Sequence, residues 1–249
     1  MPTITILGTV FPPGVIIDTG PFRMTWIERG RSLLFEIEVR ESIVRVQCTV
    51  DEYDPAGDHS YYVSRALGVA RAVVDPIAFR EGVGLLVHLS SIIKPDETTM
   101  ELVAGHPELH KLCTAFPEDE PFLFQQMLLS DPFLARAVND LVYAISVPGH
   151  VPVNCGRALE SLRRVVYPKP DPKRKLGWAW IQQELNFDQS YSEPISKHST
   201  EIRHGNNFSM DEKIVEDVLL RTWTIFNRYF EYKNRGSQRL SEPNFPRLV

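Results

Sequence analysis

Ile43-Val44-Arg45-Val46-Gln47-Cys48-Thr49-Val50 alternates apolar and polar side chains from Val44 to its end. A two-residue period places every second side chain on one face, so the segment reads as a half-buried antiparallel strand. The stretches before it carry the same signal. Phe22-Arg23-Met24-Thr25-Trp26-Ile27 alternates, and so does the later part of Leu33-Leu34-Phe35-Glu36-Ile37-Glu38-Val39. Arg29-Gly30-Arg31 and Arg40-Glu41-Ser42 fit as hairpin connections between the three.

Beyond this group, Asp54-Pro55-Ala56-Gly57-Asp58 breaks the pattern. Tyr62, Ala66, Val69, Ala70 and Val73 then recur at helical spacing, which predicts a helix over 60–75. Leu85-Leu86-Val87-His88-Leu89-Ser90-Ser91-Ile92-Ile93 returns to strand, and its apolar richness predicts a more deeply buried one. Residues 1–110 therefore read as a small α+β domain, one helix lying on a curved antiparallel sheet.

Strand signals stop near residue 105. Helices are expected at 106–115, 120–129, 131–147, 153–167, 174–186, 190–204 and 210–233, interrupted by the prolines of 148–152 and 168–172. The last is the most strongly marked. Ser209 and Glu212 form a capping box, Val215, Val218, Leu219, Thr222, Phe226 and Tyr229 line one face, and Gly236 stands at the expected stop. The fold class is α+β: an N-terminal mixed antiparallel sheet with a helix, an all-α bundle over 111–236, and a C-terminal arm over 237–249.

Composition narrows the class. The chain is 43% hydrophobic and 24% charged, ordinary for a globular protein and unlike a disordered one. Cys48, Cys113 and Cys155 are odd in number and far apart, which favours reduced thiols. No run approaches the ~18 apolar residues that read as a membrane span. Met1-Pro2-Thr3-Ile4-Thr5 lacks the basic flank and apolar core of a signal peptide. The expectation is a cytoplasmic protein without a membrane partner. The net charge of −5 conceals an asymmetry: residues 150–249 hold 16 Lys/Arg against 12 Asp/Glu, leaving 11 against 20 elsewhere. A basic half permits a polyanionic partner such as RNA, since phosphates are contacted by Lys and Arg, although a solvated surface accounts equally for so mild an excess.

Three groups of residues carry chemistry. On the helix from Asn154, Arg157, Glu160 and Arg164 share one face opposite the apolar stripe of Cys155, Leu159, Leu162 and Val166. That face reads either as a solvated ion cluster, worth little to stability, or as a surface that meets a ligand phosphate or another polar helix. Ile202-Arg203-His204-Gly205 ends the following polar helix. Cations at a helix C-terminus followed by glycine are ordinary, yet a histidine beside a fixed charge is also equipped for acid–base work. The third group, His106, His110 and Cys113, has helical spacing for nitrogen and sulfur ligands, but Pro107 makes His106 a cap and no fourth ligand is visible. No metal or other cofactor is expected, and no Gly-rich phosphate loop is present.

The order of features in the C-terminal half resembles a known family. Cys155-Gly156-Arg157-Ala158-Leu159-Glu160-Ser161-Leu162-Arg163-Arg164 is followed by Lys175-Leu176-Gly177-Trp178, by Leu185-Asn186, and by Ile195-Ser196-Lys197-His198-Ser199 leading to the Arg203-His204 turn. Residues 150–236 thereby resemble the HEPN-like helical bundles. The resemblance implies a bundle that often dimerises, binds RNA or a nucleotide, and in active members cleaves RNA without a metal in defence or toxin systems. It implies His204 as acid or base and Arg203 as the cation steadying the phosphorane, with Arg157, Glu160, Arg164 and Lys197 in the binding surface. In active members the arginine and histidine are a few residues apart. Here Arg203 adjoins His204, and Lys197 stands at the arginine's place with charge but no bidentate fork. The alternative is a non-catalytic interaction or dimerisation protein in which the Arg–Glu cluster ties helices together.

Overall fold

The computed structural model describes residues 1–28, 31–55, 59–102, 107–115, 121–146, 150–170, 175–204 and 211–249. The chain divides into two compact units, Met1–Val103 and Ala104–Val249.

The first unit is a six-stranded antiparallel sheet and one helix. Its strands are β1 (Thr3–Phe11), β2 (Thr19–Glu28), β3 (Arg31–Arg40), β4 (Ile43–Val50), β5 (Leu86–Ile93) and β6 (Thr99–Glu101), in the order β2-β3-β4-β1-β5-β6. α1 (Ser60–Glu81) packs against β3, β4 and β5. Ile4, Ile6 and Val10 of β1, Phe35 and Ile37 of β3 and Val44, Val46 and Cys48 of β4 are buried, as are Ala66, Val69 and Ala70 of α1. Burial pushes the Cys48 thiol up to about 12, so this thiol is held neutral in the core.

The alternation read from 43–50 matches β4 residue for residue. Three elements differ from the sequence reading. β1, the strand between β4 and β5, went unread because Gly8 interrupts its apolar set. The ladder shifts register between Leu7 and Gly8, where an added Cβ would lie 2.3 Å from the His88 carbonyl oxygen, so only glycine fits the approach. β5 alternates rather than being buried on both faces: Val87, Leu89 and Ile92 are buried, while Leu86, His88 and Ser90 are exposed. α1 runs past the expected end at 75 and contains Pro76; Gly82, at φ 65°, closes it.

Glu41 and Ser42 join β3 to β4 in two residues, both at positive φ (49° and 64°). A tight hairpin needs that conformation, which costs a non-glycine residue energy. Hydrogen bonds hold it. The Ile17 N–H donates to Ser42 Oγ (3.0 Å), Ser42 Oγ–H donates to the Val15 carbonyl (2.9 Å), and the Glu41 N–H donates to Asp18 Oδ1 (2.7 Å). Arg29 and Gly30, expected in the other hairpin, lie outside the described residues.

The second unit is helical: α2 (Pro107–Leu112), α3 (Pro121–Ser130), α4 (Pro132–Ser146), α5 (Val151–Val166), α6 (Lys175–Glu184), α7 (Gln189–Arg203) and α8 (Glu212–Asn234). The fold class is thus α+β, a sheet with one helix followed by an all-helical region. α5 is central, in contact with α4, α6, α7 and α8. Cys155, Ala158, Leu159 and Leu162 on α5 meet Val218, Ile225 and Phe226 of α8 in the core. α8 opens on Asp211, whose carboxylate accepts from the Lys213 N–H. The capping-box serine, Ser209, lies outside the described residues, and Glu212 is the first helical residue rather than the third. Gly236, at φ 66°, follows the helix as expected.

The segment after α8 lies along the helical unit, mostly exposed, and is anchored at a few points. Leu240 is 1% exposed, and its N–H donates to the Glu184 carbonyl (2.9 Å). Leu248 bridges to Phe187. Arg228, buried on α8, donates to the carbonyls of Leu185, Asn186 and Pro246. A guanidinium carries enough donors to satisfy three carbonyls at once, which lets it stay buried without a carboxylate.

Ser42→Ala removes the oxygen that satisfies the buried Ile17 N–H. The expected cost is ~1–3 kcal/mol, the penalty of an orphaned buried donor. Urea unfolding followed by tryptophan fluorescence checks it, and a change within error would show that the turn does not depend on this hydroxyl.

Candidate functional site

α5 and α7 approach most closely where Gly156 faces Ser199. A Cβ at Gly156 would stand 2.3 Å from Ser199 Oγ and 2.6 Å from Ser199 Cβ. Ser199 is itself 2% exposed. Arg157 follows Gly156 on α5, and Arg203 lies one helical turn beyond Ser199 on α7, so the crossing sets both arginines around the same space.

That space is a cavity of about 460 Å3. Arg136 and Asp140 from α4, Arg157, Glu160 and Arg164 from α5, and Ser199, Thr200 and Arg203 from α7 line it, with Trp178 of α6 and Phe133 of α4 adding aromatic surface. Spacings of three and four residues on each helix turn these side chains to one side. The structure therefore brings together four residues singled out in the sequence: Arg157, Glu160, Arg164 and Arg203.

Their pairing differs from the expected Arg157–Glu160–Arg164 cluster. Glu160 pairs with the buried Arg163 (3.3 Å), which the sequence reading left aside. Arg157 pairs across helices with Asp140 (Nη2 to Oδ1, 3.0 Å). The Asp140 side chain is 7% exposed, and its Oδ2 has no hydrogen-bond partner. Burial pushes this carboxyl above its ordinary value of 3.8, against the opposing pull of Arg157 and then Arg136. Asp140 was legible in principle: it interrupts the apolar stripe of Leu134, Ala137, Leu141 and Ala144, a position where a charge needs a partner.

Arg136, Arg164 and Arg203 are exposed and, among the described residues, have no carboxylate within ion-pair distance. Arg203 donates only to neutral oxygens of its own helix, the Ser199 carbonyl (3.2 Å) and Thr200 Oγ1 (3.3 Å). Three guanidiniums from three helices around one concavity give it a positive potential, of the kind that attracts anions.

His204 and Lys197 are not part of it. His204 is the exposed C-cap of α7, its N–H donating to the Thr200 carbonyl (3.1 Å), and Lys197 is exposed outside the lining. Of the expected pair, Arg203 thus lines the cavity and His204 lies outside the lining. Gly205 lies outside the described residues, as does His106. Of the proposed metal ligands, Cys113 instead accepts from the Trp223 indole N–H (3.1 Å). Among the described residues no group of three or more His, Cys, Asp or Glu is placed to hold a metal, and no helix is long and apolar enough to cross a membrane.

The chain is thus a two-unit α+β protein with a cationic cavity in its helical unit. Residues 4–103 match the N-terminal domain, and residues 123–234 the C-terminal domain, of a family described as domain of unknown function (DUF8168), so the chain carries both halves of that family in order. Neither a curated protein nor a solved structure matches it.

Two substitutions probe this geometry. Gly156→Ala forces α7 away from α5, and the expected loss is ~1–3 kcal/mol, as for overpacking elsewhere; an unchanged urea midpoint would show that the crossing can yield. Asp140→Asn tests the buried carboxyl. A carboxyl with a raised folded pKa contributes stability below its ordinary value and loses it as pH rises through the folded value. The non-ionising variant should therefore gain on wild type in urea unfolding as the pH rises above the ordinary value of 3.8 and through the folded one. A gap that stays constant or shrinks would contradict the assigned environment.

Proposed function

We propose that the helical unit binds the phosphate groups of RNA or of a nucleotide in the cavity between α4, α5 and α7. The observation that carries this reading is the set of three guanidiniums, Arg136, Arg164 and Arg203, left without carboxylates among the described residues while Arg163 and Arg157 nearby are each paired. Guanidinium forks match phosphate oxygens two at a time. Trp178 offers a face on which a base or ribose packs. The resemblance to HEPN-like bundles points the same way, toward a helical domain that handles RNA or a nucleotide.

The reading is of binding rather than cleavage. An acid–base group must reach the proton it moves, and His204 stands off the cavity wall. The competing reading, a structural Arg–Glu tie, is served less well by Arg203, which is exposed and bonded only within its own helix.

Fluorescence anisotropy with a labelled single-stranded RNA tests the proposal. Arg164→Ala and Arg203→Ala should each weaken binding about tenfold, or ~1.4 kcal/mol. Each should also lower the slope of log affinity against log salt by about 0.7, the share of one phosphate contact. His204→Ala should leave both unchanged. Wild-type protein that does not bind, or arginine variants that bind like wild type, would overturn the proposal.

A further inference from the structure

We infer that the cavity receives a terminal phosphate, a phosphomonoester, in preference to an internal diester of a nucleic-acid backbone. This rests on the phosphate-binding reading above and specifies its ligand.

The first argument is charge. The lining carries four guanidiniums, Arg136, Arg157, Arg164 and Arg203, against the two carboxylates of Asp140 and Glu160, so the cavity retains a surplus of about two positive charges. A backbone diester brings a single negative charge per phosphate. A terminal monoester brings about −1.5 to −2 at neutral pH and three free oxygens. The monoester concentrates enough charge in one place to offset that surplus, and a single diester does not.

The second argument is direction. Arg136, Arg164 and Arg203 come from α4, α5 and α7, three different sides of one concavity. A monoester has three equivalent oxygens to present to them and one substituent leading out. A diester has two substituents and only two free oxygens, so it leaves one of the three arginines without a phosphate oxygen of its own. The volume of about 460 Å3 suits a single small ligand.

The third argument is the fixed wall. Asp140 is more than nine-tenths buried, with Oδ2 unpartnered, and it holds Arg157 by a 3.0 Å contact. Asp140 thereby occupies Arg157, which leaves the anion to the other three arginines.

The shared chemistry, a terminal phosphate, occurs both at the end of an RNA strand and on a mononucleotide. Competition binding with the full chain separates these and tests the inference. The probes are one short RNA bearing a 5′-phosphate, a 3′-phosphate or neither, together with AMP and adenosine. At least one phosphorylated strand should bind tenfold or more tighter than its unphosphorylated twin, and AMP should compete where adenosine does not. Arg164→Ala and Arg203→Ala should collapse that preference to within about twofold. AMP that matches the phosphorylated strand identifies a mononucleotide as sufficient, and AMP that binds more weakly identifies the strand end; both support the inference. Equal binding of phosphorylated and unphosphorylated strands, with both lost in the arginine variants, would overturn the monoester and leave the phosphate-binding reading intact. Absence of binding by every probe would overturn the two together.

Discussion

The helical unit depends on the absence of a side chain at Gly156. α5 touches four other helices, and one of them comes close to its backbone. At Gly156 that neighbour is Ser199 of α7. The consequence reaches past packing. Side chains adjacent to the contact cannot interdigitate there and are turned along its edge, which is where Arg157 and Arg203 lie. One close approach thus completes the core and gathers like charges that would otherwise stay apart in solvent.

The arginines of this unit fall into two kinds, and the division bears on function. Arg163 and Arg228 are buried, and each has oxygens to satisfy it: a carboxylate for the first, three backbone carbonyls for the second. Burial lowers the Arg228 pKa from its ordinary value, the sign of a charge held at some cost in desolvation. Arg136, Arg164 and Arg203 are the reverse, exposed and unmatched. Arg157 stands between the kinds, half exposed and tied to a buried aspartate. A protein that used all its arginines as structural ties would not leave three of them facing one concavity, since like charges repel when nothing lies between them.

Much of this was legible from residue spacing. Alternation located β2, β3 and β4, and helical periodicity located α3 to α8 within a few residues, because both periods are local properties of the chain. β1 escaped although its burial alternates throughout; Gly8 stands on its buried face in place of an apolar side chain for a reason visible only in its partner, the His88 carbonyl. In the site, Arg157, Glu160 and Arg164 were recoverable as one face, and Arg203 as a helix-end cation. Their ion pairs were not. Arg157 finds Asp140 on another helix, and that choice is made by the packing of α4 on α5. His204 drew attention by adjacency to Arg203, yet adjacent residues on a helix diverge by about 100°, so the neighbour in sequence is not the neighbour in space.

The segment around Leu240 to Leu248 adds a constraint of another sort. The sheet unit has all its strands by Glu101 and its helix by Glu81, so its ladder and core can close while later residues are still unmade. The helical unit has no such independence. The connection between α6 and α7 is held by Arg228 of α8 and by Leu240, Phe245, Arg247 and Leu248 of the last segment, and Arg228 gains its third carbonyl only once Pro246 is in place. During synthesis, where domains close as units in order of emergence, the first unit is finished well before the second, and the arginine cavity is among the last features of the molecule to take shape.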